Sequence, residues 1–576
     1  MKVQNLKEFA MKALYQKIRS LQGKPYGNYK TLSANSWQYG DFSLDFLHIQ
    51  GDPFAPASRV MVKASLSTLG FGSEWSSSFE RCLALSDFLL RELAKNVQQQ
   101  FPEKDPIIAL PMPGPEMLVR NSLWVDNGEL RVCLQVRLPG EGRKIQSDEA
   151  AEILTMTLPD VLASSLYCKP ERMPALEEHY QVLANRKAIL DELKARGLVA
   201  FVPNGAVLPR ASGLSQTPLA SAVPFVSPAA LSVTFNVNGQ EITGMGIPQG
   251  ITVISGGAFH GKSTLLSALV QSVYPHIPGD GREGIVVDES AVRVCVEEGR
   301  FIRGTNLSPL VRNLPGNVST KNFCTQSASG STSEVANLLE AMEAGARTFF
   351  IDEDSSAVNF LIRGRRVREL LGEGNEPLIP LTDRIQEFAK CGCSFILVAG
   401  ACGDFLDIAD NIIVMSNYKA ESVLDWKPSK ESATNSNEPL PAFSMPECRS
   451  LQDYIQPCLP SLRPTSSVER QVKVKLNGDA LLQIGFLLSD TSKAGLLVDK
   501  YQRLGAGYLL LNLCQNAASN GGQSDSASII ESALSLVEKI KNVGFRNLPQ
   551  GLSREMSLPR PIDVACVLFR LNEYKR

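Results

Sequence analysis

The 576-residue sequence holds only four histidines, His48, His179, His260 and His276, and none of its 12 cysteines belongs to a Cys-x-x-Cys pair. Zinc sites are read from such pairs at fixed distances from histidines, so the pattern predicts reduced thiols and no structural zinc. No run of 18 apolar residues occurs, and the apolar patch 508–513 is far too short for a membrane span. A soluble, intracellular chain with no membrane partner is therefore expected. Excess charge is missing as well. Fifty-eight Lys and Arg stand against 60 Asp and Glu, a net charge of −2, so no global field advertises nucleic acid and any basic surface has to be local. Core material is plentiful: 44% of the residues are apolar, enough for about three to four domains.

The most informative stretch is Gly256-Gly257-Ala258-Phe259-His260-Gly261-Lys262-Ser263-Thr264, set between the apolar runs 251–254 and 265–270. In a strand–loop–helix context the spacing G-x-x-x-x-G-K-S is a phosphate-binding loop. Its glycines let successive backbone N–H groups turn around a triphosphate, Lys262 reaches the β and γ oxygens, and the Ser263 hydroxyl ligates Mg²⁺. The following helix aims its positive end at the same phosphates. A second fixed point is Thr348-Phe349-Phe350-Ile351-Asp352-Glu353-Asp354, an apolar strand ending in acids. There Asp352 would complete the Mg²⁺ shell and Glu353 would position or deprotonate the attacking water. ATP and Mg²⁺ are the cofactors these residues imply.

The remainder is read around these points. Residues 1–200 start with an amphipathic helix (Leu6, Phe9, Ala10, Leu14, Ile18, Leu21). Strand patterns at 42–49, 60–64 and 130–138 and helical periodicity at 79–97 and 150–166 then predict an α+β domain. His48, Asp52 and Arg59 read as a turn-forming Asp-Pro and a solvent-facing arginine rather than a site. The Pro/Ser-rich stretch 203–228 is a junction, and 201–425 forms the nucleotide-binding core. Residues 426–467 read as a flexible linker, and 468–576 as a small, basic, mostly helical domain that includes 471–476, 480–488 and 496–516. Gln326 to Glu334 is a hydroxyl-rich turn capping a helix that starts near Val335.

The order of phosphate loop, Ser-Gly turn on a helix, and Asp-Glu strand resembles the ABC ATPases, specifically the family known as "ATPase of the ABC class". Further motifs extend the resemblance over nearly the whole chain: 51–55 with Ser58-Arg59, 244–248, 276–283, Asn313-Leu314-Pro315-Gly316, 328–332 and Leu558-Pro559-Arg560-Pro561. The best characterised relatives are the mitochondrial RNA-binding-complex ATPases of kinetoplastids. The resemblance implies an α/β ABC-type P-loop ATPase core, and two chains that sandwich ATP as a homodimer. In that sandwich Ser329, Gly330 and Ser331 of one chain meet the γ-phosphate held by the other. It also implies an RNA partner, a larger RNA-processing complex, and the mitochondrial matrix, or alternatively the cytoplasm, as location. An aromatic shortly before the loop, Phe225 or Phe235, would stack on adenine.

Two departures bear on mechanism. Transporter-type ATPases place a histidine after the strand that follows the acidic one, but this sequence has none beyond His276; the window between Ser272 and Thr325 also lacks the usual glutamine. Slow turnover is expected. For RNA, two basic runs are candidates: Arg363, Arg365, Arg366 and Arg368, and, in the last 36 residues, Arg560 and Arg570 among seven basic residues that include Arg546, Lys575 and Arg576. The competing expectation is a nucleotide-stabilised scaffold whose partners are proteins. A GTPase is excluded by the missing N-K-x-D motif, since Asn417-Tyr418-Lys419-Ala420 lacks its acid.

Overall fold

The computed structural model describes residues 12–213, 215–371, 376–423, 440, 442–464, 471–519, 527–545, 548 and 554–573. The chain divides into two compact units, Met1–Leu183 with Glu538–Leu558, and Ala184–Val537 with Pro559–Arg576. The residues read as a separate terminal domain are thus shared between the two. Much of the expected linker, 426–439, 441 and 465–467, lies outside the described residues, as do Arg546, Lys575 and Arg576.

In the first unit an antiparallel sheet is ordered Trp37–Tyr39, Phe42–His48, Ser58–Ser65, Glu129–Val136, Ile108–Ala109, with Leu123–Asp126 also paired to Glu129–Val136. Phe42, Leu44 and Phe46 are buried while their neighbours are less so, the period-two pattern of a sheet with one face on the core. The helix Phe79–Gln100, whose first turn is capped by the Ser78 hydroxyl accepting from Arg81 N, packs against Leu123–Asp126. Leu14, Ile18 and Leu21 are buried, as the amphipathic first helix requires; Leu6, Phe9 and Ala10 lie outside the described residues. Asp52 makes the expected turn, its Oδ1 accepting from Phe54 N and Ala55 N at 2.9 and 3.1 Å. Arg59 does not face solvent. It is buried, donating to Asn121 Oδ1 and lying 3.7 Å from Glu555. With Asn121 bonded to Arg554 O and Met556 N, this buried cluster is what brings 538–558 back to the first unit.

The second unit carries a four-stranded antiparallel sheet, ordered Ser232–Val237, Gln240–Pro248, Leu198–Pro203, Val286–Val287. Its main sheet is six-stranded: Val292–Val294, Thr348–Asp352, Ser394–Val398, Ile251–Gly256, Asn411–Ser416, Lys419–Val423, parallel except for the last pair. Every residue of Thr348–Asp352 and Ser394–Val398 is buried. Such runs read as continuous apolar stretches because a parallel sheet is covered on both faces. In the C-terminal region the stretch 496–516 forms the helix Lys500–Ser519, and a further helix spans Pro561–Phe569, but 474–490 is not helical. Tight turns at Gly478 and Gly485, both at φ near +60°, fold it into three short antiparallel strands, the last of which pairs with Asn572–Glu573.

Candidate nucleotide site

The main sheet sets the site. Ligands of open parallel sheets bind beyond the carboxyl ends of the strands, and here three neighbouring strands end together: Ile251–Gly256 into the phosphate loop, Ser394–Val398 into Gly400-Ala401, and Thr348–Asp352 into Glu353. The loop opens at Gly256, φ +135°, where any β-carbon would lie 2.3 Å from Met415 O; only glycine fits. It closes at Gly261, φ +100°, directly before the helix Lys262–Gln271. Lys262 Nζ is held over the loop, donating to Gly256 O and Gly257 O at 2.7 and 2.8 Å.

Across from it, Glu353 Oε2 accepts from Gly400 N at 2.7 Å and Ala401 N at 3.0 Å. The space a β-carbon would take at Gly400 is 3.9 Å from Lys262 Nζ and 4.0 Å from Glu353 Oε2, so these groups converge on one point. Gly400 and Ala401 take part through backbone N–H groups, which leave no side-chain signal in a sequence. Asp352 is 8% exposed, and burial holds its carboxyl above the usual range; its Oδ1 accepts from Asp354 N at 3.3 Å. Ser263 lies exposed in the first turn of the helix. These two oxygen donors fit Mg²⁺, which is held by one or two protein oxygens with waters and substrate phosphates rather than by an all-protein cage. No cluster of three or more metal-ligating side chains exists among the described residues.

The Ser-Gly turn heads the helix Gly330–Glu343, with Ser329 at the N-cap. Ser329 Oγ pairs with Thr332 Oγ1, Ser333 Oγ donates to Gly330 O, and Asn359 Nδ2 donates to Ser331 Oγ at 3.4 Å. No hydrogen bond among the described residues joins this turn to the phosphate loop of its own chain. Glu334, fully buried on that helix, accepts from Ala357 N at 2.7 Å and so ties it to the segment following Glu353. Burial raises its carboxyl to about 7. A carboxyl raised in the folded state favours folding with the proton on, so the stability difference is absent below the unfolded value of 4.5. As pH rises toward 7 stability is lost, by about 3 kcal/mol in full. Glu334→Gln is expected to flatten this slope, read by urea unfolding at pH 5 and pH 8.

Several sequence candidates sit elsewhere. Phe225 and Phe235 are 1% and 0% exposed in the interior of the unit and cannot reach a base. Arg560 and Arg570, the two tail arginines proposed for RNA, are not free surface groups. Arg560 binds Asp563 through Nε and a terminal nitrogen at 2.9 and 2.7 Å and donates to the carbonyls of Glu289 and Ala291. Arg570 is held by Glu297 at 2.6 and 3.0 Å and by Asn337. Both are corrected to structural ions held by acids, Arg570 buried and the Arg560 side chain largely so. Arg368 forms a two-bond pair with Asp383, both at 2.7 Å, and Arg363 lies 3.4 Å from Glu376; Arg366 is exposed, and the Arg365 side chain lies outside what is described. The Pro/Gly-rich segment 274–283 is packed inward, with His276 Nδ1 2.7 Å from Asp280, itself paired with Arg210. All twelve cysteines are free, and among the described residues no helix is long and apolar enough to cross a membrane.

Two family models match this chain: the P-loop domain of the ABC ATPases over residues 172–443, and the N-terminal domain of ATPases of the ABC class over 11–169. An uncharacterised protein of Methanocaldococcus jannaschii is 28% identical over 250 residues, 42% of this chain; the chain spans 55% of that relative's length. Among solved structures it matches an ATP-binding cassette of an ABC transporter in its ADP conformation, with 11% identity, 33% of this chain, 86% of that one and a TM-score of 0.22. It also matches cbiO1 of the cbiONQ transporter complex from Clostridium perfringens, with 14% identity, 39% and 87% coverage and a TM-score of 0.24. With the phosphate loop, the acidic strand and both family models in one chain, this is a P-loop nucleotide-binding protein that belongs to the ATPases of the ABC class.

Proposed function

We propose that the chain is an ATP-dependent conformational switch that works as a homodimer and hydrolyses ATP slowly. The observation that carries this is the convergence of Lys262, Glu353 and the Gly400-Ala401 amides at the carboxyl edge of the main sheet. Lys262 binds the β and γ oxygens, and Asp352 and Ser263 would hold Mg²⁺, which supplies charge neutralisation on the phosphates when bound. Glu353 orients water and takes its proton. One phosphate loop per chain, together with a Ser329–Ser331 turn that, among the described residues, has no hydrogen bond to the phosphate loop of its own chain, supports assembly of each complete site from two chains. ATP binding closes the pair and hydrolysis releases it. The missing histidine supports slow turnover.

Lys262→Ala should weaken MgATP binding by several kcal/mol, on the order of a hundredfold or more in affinity, because it removes the mobile cation that meets the terminal phosphates. Unchanged affinity in calorimetry would overturn the proposal.

RNA is the load proposed for the switch, supported by the resemblance to the kinetoplastid ATPases and by the exposed Arg366. The alternative, a nucleotide-stabilised scaffold with protein partners, is favoured by one specific observation, the burial of Arg560 and Arg570 against acids. Filter binding of single-stranded RNA with and without ATP separates them: ATP-dependent retention supports the first, none the second.

A further inference from the structure

The nucleotide site needs a surface for the base, and the two aromatics preceding the phosphate loop are interior residues. The order of strands says where that surface has to be. On one side the loop strand Ile251–Gly256 pairs with Ser394–Val398, whose end brings Gly400 to Lys262 and Glu353; the γ-phosphate belongs on this flank, since Glu353 acts there. On the other side it pairs with Asn411–Ser416, which turns at Asn417-Tyr418 into Lys419–Val423. A nucleotide laid across the loop with its γ-phosphate toward Glu353 sends its base toward that turn.

The turn is fastened to the loop. Asn417 N donates to His260 Nδ1 at 2.9 Å, and Tyr418 N donates to His260 O at 3.2 Å. A β-carbon at Gly261 would meet the Tyr418 ring at 3.2 Å, so the ring edge rests on the glycine just before Lys262. Tyr418 nonetheless remains 56% exposed, which leaves ring surface for a ligand. Its backbone has φ +65°, a left-handed conformation that a bulky residue adopts at a cost and that clusters at functional positions.

We infer that Tyr418 is the base platform of the nucleotide site, stacking on the purine in the role that an upstream aromatic was expected to fill. The inference rests on the proposed ATP binding. It also accounts for an aromatic at a turn where asparagine or glycine would be free of strain. Stacking on one ring tolerates any base, because every base has a π-face, so ATP and GTP should bind with similar affinity.

The test is calorimetry of MgATP and of magnesium tripolyphosphate against the full chain and two variants. Tyr418→Asn removes the ring while keeping a residue that accepts the left-handed turn; Tyr418→Phe keeps the stacking face. The expected result for Tyr418→Asn is an ATP affinity lower by about 5- to 100-fold with tripolyphosphate affinity unchanged, and wild-type values for Tyr418→Phe. Equal ATP affinity in Tyr418→Asn and wild type would overturn the inference. So would an equal loss for tripolyphosphate, which would assign Tyr418 to holding the loop. Failure of the wild-type chain to bind ATP, by contrast, would sink the proposed function itself.

Discussion

Glu353→Gln should leave MgATP bound and lower turnover by about 10²- to 10⁴-fold, the range spanned by loss of a general base. The substitution keeps the side-chain oxygen that accepts from Gly400 N and Ala401 N, so the loop after Ser394–Val398 stays in place. What changes is the capacity to take a proton from water. Because Lys262 and the phosphate loop are untouched, the effect should fall on kcat, with ATP affinity near wild type. A steady-state assay beside calorimetry reads both quantities. A variant that turns over at the wild-type rate would assign water activation to another group, and one that no longer binds ATP would give Glu353 a structural part.

The second large effect is on folding. Asp563 is fully buried and receives Arg560, Leu496 N and the Tyr274 hydroxyl; Arg570 is buried against Glu297 and Asn337. Removing one member of such a pair leaves an uncompensated buried charge, which costs about 3–5 kcal/mol. Asp563→Ala and Arg570→Ala should each lower the unfolding free energy of the second unit by that amount, read by urea unfolding. A surface arginine would instead cost within about 0.5 kcal/mol. The same measurement separates the two readings of the basic tail. Phosphate-contacting arginines would change the salt dependence of RNA binding and spare stability, whereas the buried pairs would do the reverse.

The contrast between these sites explains what the sequence could tell. A phosphate loop and an acidic strand end need particular residues at fixed spacing, so the loop 256–264 and the strand ending at Asp352-Glu353 are legible in the sequence. The amides of Gly400 and Ala401 carry no side-chain identity, and only strand order reveals that they face Glu353. The tail arginines were misread because charge is visible in a sequence and its partner is not. Glu297 lies 273 positions from Arg570, although Asp563, three residues after Arg560, was a signal within reach. Phe225 and Phe235 failed for a related reason, since an aromatic near a motif reads the same whether it lines a site or a core. The strands within 474–490 are four residues each, too short for periodicity to separate from helix.

The central claim, that ATP closes two chains on each other, is tested most directly by sedimentation of Glu353→Gln in the presence of MgATP, MgADP or no nucleotide. A slow variant should accumulate the closed pair, so the account predicts a dimer with MgATP and a monomer in the other two conditions. The same sedimentation coefficient in all three would contradict it.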